Sequence, residues 1–159
     1  MNFTEQLNEV GIVLNDTQRS QFDKYFEILV EWNGFMNLTG ITEYEEVLVK
    51  HFLDSLAVGK YREKFAGNPE LSIIDVGTGA GFPGLPLKIA FPNLKITLLD
   101  SLNKRIKFLN EVISQLGLQN VETIHGRAED FGRDAKYREQ YDYCVSRAVA
   151  NAATLSEYC

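Results

Sequence analysis

The chain has 159 residues, 45% of them hydrophobic and 24% charged, which is ordinary globular composition and argues against a disordered, collagenous or disulfide-scaffold protein. Its formal net charge of −6 argues against a protein that coats nucleic acid through bulk positive potential, although a local basic surface stays open. The first residues carry acidic side chains and no uninterrupted apolar run, so we expect a cytoplasmic protein with neither a signal peptide nor a membrane span.

Residues 1–66 are predicted to form a helical extension. The first strong pattern predicts a helix that Asn15 or Asp16 caps and Gly34 ends. Its apolar stripe follows helical spacing and consists of Phe22, Tyr25, Phe26, Leu29 and Val30. Thr42 and Glu45 have the spacing of a capping box for a second helix, which Gly59 is expected to end. The predicted buried side of that helix consists of Val47, Leu48, Phe52 and Leu56.

Residues 67–159 are predicted to form an α/β domain with a parallel sheet. Short apolar runs indicate strands at 71–76, 95–99, 121–124 and 141–146. Helical patterns at 83–91 and 102–116 separate the first three strands, and Gly117 is expected to end the second helix. This alternation is typical of parallel strands joined by crossover helices.

A glycine-rich segment, DVGTGAGFPG at 75–84, lies between the first predicted strand and the first crossover helix. Gly77, Gly79 and Gly81 permit a tight turn and leave no Cβ between the main chain and a ligand, while the helix start offers unpaired N–H groups. The spacing is G-x-G-x-G, with Phe82 where a dinucleotide fingerprint has its third glycine, which weighs against NAD. A plain tight turn without a ligand is the structural alternative.

Further candidates follow the next predicted strands at the same edge of the sheet. Asp100 ends the second strand, where a carboxylate can accept hydrogen bonds from both ribose hydroxyls or can cap the following helix. Glu129, with its neighbours, follows the third strand and can read an adenine amino group; a solvated carboxylate is the alternative. Arg147 follows the fourth strand and can clamp a carboxylate or phosphate, or form a salt bridge to Asp100 or Glu129. The loop and Asp100 together indicate a nucleoside site.

Six segments occur together in a characteristic order: WNGFMNLTGIT (32–42), HFLDS (51–55), DVGTGAGFPGLPLKI (75–89), LLDSLNKRIKFL (98–109), RAEDF (127–131) and SRAVA (146–150). In these motifs the chain resembles the bacterial small-subunit ribosomal RNA (guanine-N7)-methyltransferase G family, also called glucose-inhibited division protein B. The resemblance covers almost the whole chain. Members of that family continue for several more strands, so the resemblance implies that the sheet of this chain is incomplete at its C-terminal end.

The resemblance implies a Rossmann-like methyltransferase fold with an N-terminal helical extension. It also implies S-adenosylmethionine as cofactor and N7 of one guanine in small-subunit (16S) ribosomal RNA, naked or in the 30S subunit, as target. By position in the motifs, Gly77 and Phe82 would contact the cofactor, Ala128 and Glu129 would bracket its adenine, and Arg147 would line the methyl-transfer cleft. Guanine N7 has a free lone pair at neutral pH, so no general base is needed and no catalytic side chain is assigned.

Other features have simpler interpretations. His51, Asp54 and Ser55 share a helical face, which we expect to pack the helical extension against the sheet and not to form a catalytic triad. His125 stands alone, so no metal site is predicted. Neither cysteine, at Cys144 or at the C-terminus, has metal-ligand spacing, and both thiols are expected to be reduced.

Two other functions stay open at this point. One is an NAD(P)-binding oxidoreductase, and the other is a non-catalytic RNA- or ribosome-binding module. Lys104, Arg105 and Lys107 form one of several short basic runs and are candidates for RNA contacts, although such runs are more often solvated surface. The sequence makes no prediction of the oligomeric state.

Overall fold

The computed structural model describes residues 3–9, 11–40, 43–56, 71–127 and 141–145. The first part of the chain forms a helical layer, whose elements are α1 (Phe3–Glu9), α2 (Asp16–Met36), α3 (Tyr44–Glu46) and a π-helix (Val47–Leu53) that continues α3. Both helices that the sequence predicts for this region are therefore present.

The longest helix, α2, begins with a capping box. Asn15 Oδ1 accepts a hydrogen bond from the backbone N–H of Gln18, and Gln18 Oε1 accepts one from the N–H of Asn15, each at 2.8 Å. This confirms Asn15 as the cap. The helix runs past the predicted end at Gly34 to Met36, and Asn37 closes it in the left-handed conformation, with φ of 49°.

The buried side of α2 differs in part from the predicted stripe. Its apolar members are Phe22, Tyr25, Ile28 and Leu29. Val30, which we assigned to the stripe, is 38% exposed. At 3.6 residues per turn, Val30 points away from the side that Tyr25 and Leu29 share, and Ile28 takes its place in the core.

The second helical segment buries the side that the sequence predicts. Its core residues are each no more than 5% exposed and consist of Val47, Leu48, Phe52 and Leu56. Glu43 occupies the cap position and makes no side-chain capping hydrogen bond. Thr42 and the predicted end at Gly59 lie outside the described residues.

In the described part of the chain, four parallel strands form one sheet, namely β1 (Ser72–Val76), β2 (Lys95–Asp100), β3 (Val121–His125) and β4 (Tyr143–Val145). Their order across the sheet is β3-β2-β1-β4, which confirms the predicted parallel α/β architecture. Val76 pairs with Leu99, and Asp100 pairs with His125, so the carboxyl ends of β1, β2 and β3 lie side by side. In open parallel sheets this is the edge at which ligands bind.

Two crossover helices cover one face of the sheet, at the positions that the sequence predicts. They are α4 (Gly84–Ala90) and α5 (Asn103–Leu116), and Gly117 closes α5 with φ of 66°. Because side chains alternate along a strand, Ile73 and Leu98 join the core beneath these helices, whereas Ile74 and Leu99 belong to a separate apolar cluster on the other face.

The helical layer packs on the same side of the sheet. Phe22 and Tyr25 of α2 belong to the same hydrophobic cluster as Ile73 of β1. Gln18 of α2 is buried and donates a hydrogen bond from Nε2 to the carbonyl oxygen of Ile89 in α4, at 2.9 Å. The predicted boundary between a helical extension (1–66) and a sheet domain (67–159) lies outside the described residues and stays a prediction.

Two further sequence predictions concern the environment of the protein. Within the described ranges, no helix is long and apolar enough to cross a membrane. Cys144 in β4 is disulfide-bonded, which differs from the reduced thiol that we expected.

Candidate functional site

The glycine-rich segment forms a bend that turns the chain from β1 into α4. Gly77, Gly79 and Gly81 all have positive φ, at 68°, 60° and 99°. The backbone N–H groups of Gly77 and Thr78 both donate to the carbonyl oxygen of Leu99, at 2.9 and 3.0 Å, so the bend lies against the carboxyl end of β2. Glycine adopts these conformations at little cost, whereas residues with a Cβ do not. We refer to residues 77–83 as the bend.

Asp75 holds the two ends of the bend together. Its side chain is fully buried, and Oδ2 accepts hydrogen bonds from Thr78 Oγ1 at 2.7 Å and from the Gly84 N–H at 2.8 Å. A Cβ at Gly84 would lie 2.9 Å from this oxygen and 2.5 Å from Leu98 Cδ2. The close approach of α4 to β1 and β2 therefore requires glycine at this position, a function that the sequence did not reveal.

Asp100 connects the bend to the end of β2. It is 2% exposed, and Oδ2 accepts a hydrogen bond from the Gly79 N–H at 2.8 Å, while Oδ1 accepts one from the Leu102 N–H at 2.9 Å. The second bond precedes α5, whose cap position is Leu102 and which has no side-chain cap hydrogen bond, so Asp100 does not cap this helix in the way the alternative predicts. Arg105 Nη1 lies 3.6 Å from Oδ2 and is an ion partner that we did not predict. The proposed contact of Asp100 with ribose stays a prediction.

The glycines of the bend are required for different reasons. A Cβ built on Gly81 would lie 2.5 Å from the Tyr25 hydroxyl and 2.7 Å from Leu85 Cδ1, so the packing of α2 and α4 excludes a side chain there. Among the residues that the structure describes, a Cβ built on Gly79 would meet no heavy atom within 4 Å. The main chain at Gly79 therefore faces open space, and a ligand can lie directly against it.

Phe82 lies near the end of the bend, beneath the helical layer. The His51 ring stacks on it with a centroid separation of 4.5 Å and an interplanar angle of 12°, and the rings of Tyr25 and Phe52 lie at 5.9 and 6.0 Å. Phe82 is 8% exposed as a result. Its predicted contact with a cofactor is untested, and the helical layer is the contact that the structure shows.

The predicted packing of the polar face is confirmed for His51, whose ring lies against the bend, whereas Asp54 is exposed. His51 Nε2 lies 2.7 Å from Thr39 Oγ1, and Ser55 Oγ donates to the carbonyl oxygen of His51 at 2.5 Å. Ser55 is 1% exposed and engaged with backbone. This geometry does not resemble a catalytic triad, in which the serine hydroxyl contacts the imidazole.

Three predicted site residues lie outside the described residues, namely Ala128, Glu129 and Arg147. Their assignments to adenine and the methyl-transfer cleft stay predictions. His125, at the end of β3, places Nε2 3.0 Å from the carbonyl oxygen of Ser101. In the part of the chain that the structure describes, no cluster of His, Cys, Asp and Glu side chains has the arrangement of a metal site.

The fold of this chain is similar to that of several solved structures. A candidate caffeoyl-CoA O-methyltransferase from Staphylococcus aureus superposes with a TM-score of 0.56 over 91% of this chain and 66% of its own, at 16% identity. A mutant of MtNAS, solved in complex with S-adenosylmethionine, superposes with a TM-score of 0.52 over 85% of this chain and 47% of its own, at 15% identity. These similarities confirm the Rossmann-like methyltransferase fold.

Sequence comparison identifies the family. The ribosomal RNA small subunit methyltransferase G of Lachnoclostridium phytofermentans is 55% identical over 99% of this chain, which covers 64% of that relative. Across the curated relatives that it matches at 52–57% identity, the chain spans 62–65% of their length. The family model for rRNA small subunit methyltransferase G matches residues 18–159. The chain therefore belongs to the rRNA small subunit methyltransferase G family.

Proposed function

We propose that the protein to which this chain belongs transfers a methyl group from S-adenosylmethionine to N7 of a guanine in small-subunit ribosomal RNA. The observation that carries the proposal is the bend, where the main chain faces open space at Gly79 beside the carboxylate of Asp100. Family membership supports the reaction class. MtNAS, which shares the fold, was solved with S-adenosylmethionine bound.

The residues at the bend fit an adenosyl ligand. Gly79 presents peptide without a side chain, so the ligand can approach the backbone closely. Each oxygen of Asp100 accepts one backbone hydrogen bond, and Arg105 lies 3.6 Å from Oδ2. A carboxylate offers about four acceptor positions, so at least one is left for a ribose hydroxyl, which would have to reach a side chain that is 2% exposed. Ala128 and Glu129 would contact the adenine, and Arg147 would line the cleft.

The proposed reaction depends more on positioning the reactants than on proton transfer by a side chain. When bound, S-adenosylmethionine supplies a sulfonium methyl group as the electrophile. The in-plane lone pair of guanine N7 is unprotonated at neutral pH, so no side chain has to remove a proton. The bend is held to the sheet by Asp75 and Asp100, which makes it a rigid surface for orienting the ligand. Correct orientation of reactants is worth up to about 7–11 kcal/mol in favourable systems.

The substrate contact includes exposed lysines next to this edge. Lys104 and Lys107 are exposed on the first turns of α5, which begins at the carboxyl end of β2. They are the members of the predicted basic run that are available to phosphates. Arg105 lies against Asp100 and belongs to the cofactor edge instead. Small-subunit RNA, as naked RNA or in the 30S subunit, is the proposed partner, and the cytoplasm is the proposed location.

The test uses the full-length protein and small ribosomal subunits from a strain that lacks this modification. We expect transfer of tritium from labelled S-adenosylmethionine to the RNA, and N7-methylguanosine as the labelled nucleoside in mass spectrometry after nuclease digestion. A label at another atom or in another RNA would contradict the proposed substrate.

Calorimetry separates the proposal from its alternatives. We expect S-adenosylhomocysteine to bind and NADH to give no heat of binding. Binding of NADH without a response to S-adenosylhomocysteine would indicate an oxidoreductase and would refute the proposal. If the full-length protein binds S-adenosylhomocysteine but transfers no methyl group to any RNA, a non-catalytic ribosome-binding module is the better description.

A further inference from the structure

The helical layer makes a direct polar contact with the bend. Tyr25 of α2 is fully buried, and its hydroxyl donates a hydrogen bond to the carbonyl oxygen of Ala80. Ala80 lies between Gly79, which faces the open space, and Gly81. Tyr25 thus contacts the middle of the bend although it lies 55 positions before Ala80 in the chain.

This contact constrains the peptide unit between Ala80 and Gly81. Gly81 has φ of 99°, a conformation in which glycine has wide freedom when nothing else holds it. The hydroxyl of Tyr25 fixes the direction of the Ala80 carbonyl, and the Tyr25 ring stacks against Phe82 at 5.9 Å. The sheet side of the bend is held separately, through the Asp100 carboxylate and the Gly79 N–H.

We propose that Tyr25 is a positioning residue for the cofactor site, which acts by fixing the Ala80 carbonyl and with it the backbone of Gly79 and Gly81. The inference rests on the proposed function, since it takes the bend as the place where the cofactor lies. Without the hydroxyl, the bend populates other backbone conformations, and the apparent affinity falls by the fraction of molecules that stay competent to bind. The helical layer is then part of the cofactor site although it does not touch the ligand.

The test is Tyr25→Phe, with Tyr44→Phe as the matched control. Tyr25→Phe removes one oxygen and keeps the ring that packs on Phe52 and Phe82, so we expect the fold to persist. Tyr44→Phe removes the hydroxyl that donates to Asp23 at 2.8 Å, in the same helical layer but away from the bend. We expect Tyr25→Phe to weaken binding of S-adenosylhomocysteine about three- to tenfold, the effect of one buried hydrogen bond, and Tyr44→Phe to leave it unchanged.

Amide hydrogen exchange of the ligand-free proteins distinguishes positioning from a general loss of stability. We expect Tyr25→Phe to speed exchange at Gly79, Gly81 and Phe82, while protection in β2 and α5 stays at the wild-type level. Wild-type affinity together with wild-type exchange in the bend would overturn the proposal, and so would faster exchange spread evenly over the sheet. If the wild-type protein binds no S-adenosylhomocysteine, the proposed function fails, whereas the exchange experiment still decides whether Tyr25 holds the bend.

Discussion

Replacing Gly79 by alanine distinguishes a glycine that a ligand requires from one that the backbone requires. Gly79 has φ of 60°, and an added Cβ meets no heavy atom within 4 Å. Gly117 is a matched control, since its φ is 66° and its added Cβ is equally free of neighbours. Gly117 closes α5 just before β3 begins, so it lies at the opposite edge of the sheet from the bend.

The expected magnitudes follow from this geometry. Each substitution should lower the free energy of unfolding by about 1–2 kcal/mol, because a residue with a Cβ is disfavoured in the left-handed region. At Gly79 the new methyl group also occupies space next to the ligand. Overfilling of that kind costs about 1–3 kcal/mol, which corresponds to roughly 5- to 150-fold weaker binding.

The assay is calorimetric titration of both variants with S-adenosylhomocysteine, after thermal unfolding has established that their stabilities match. We expect Gly117→Ala to bind like the wild type and Gly79→Ala to bind at least several-fold more weakly. Equal affinity in the two variants would refute the reasoning, because it would mean that the open space at Gly79 is not where the ligand lies.

Two further predictions concern stability. Gly81→Ala should lower the free energy of unfolding by roughly 2–5 kcal/mol, measured by urea denaturation, since strain from a φ of 99° adds to the clash with the Tyr25 hydroxyl; a loss no greater than that of Gly117→Ala would contradict the packing argument. Burial lowers the pKa of Lys88, whose ammonium donates to the carbonyls of Pro92 and Leu94, below its ordinary 10.5. The unfolded chain therefore binds more protons in the window between the two pKa values, so the unfolding free energy of the wild type should rise with pH towards 10.5 relative to Lys88→Met. A difference between the two proteins that stays constant from pH 7 upwards would refute this.

The strands and crossover helices were predictable because each carries a local sequence signal. The helix α5 follows from the apolar period of Ile106, Leu109 and Leu116 and from a glycine at its end. The end of α2 was not predictable in this way. A glycine inside a helix costs only about 1 kcal/mol, and α2 continues past Gly34 to Met36, which packs against the hydrophobic core. That core consists of elements that are distant in sequence.

The candidate site was predictable in outline but not in its contacts. The glycine spacing and Asp100 located the site at the carboxyl edge, because both are short motifs with a known place in a parallel sheet. The different requirements at Gly79 and Gly81 depend on where the Tyr25 hydroxyl lies, and no local pattern encodes that position. Likewise, the ion partner of Asp100 is Arg105, on the first turn of the following helix.

The bend is held from two sides, by the sheet and by the helical layer. On the sheet side, Asp100 accepts from the Gly79 N–H, and Asp75 accepts from the Thr78 hydroxyl and from the N–H of Gly84 at the start of α4. On the other side, Tyr25 binds its central carbonyl, and His51 and Phe52 cover Phe82. Neither side alone fixes every peptide unit of the bend, because the carbonyl of Ala80 points towards the helical layer and away from the sheet. In the described residues the helical layer therefore fixes one side of the bend, so under the proposed function substitutions in its core are expected to change cofactor affinity as well as stability.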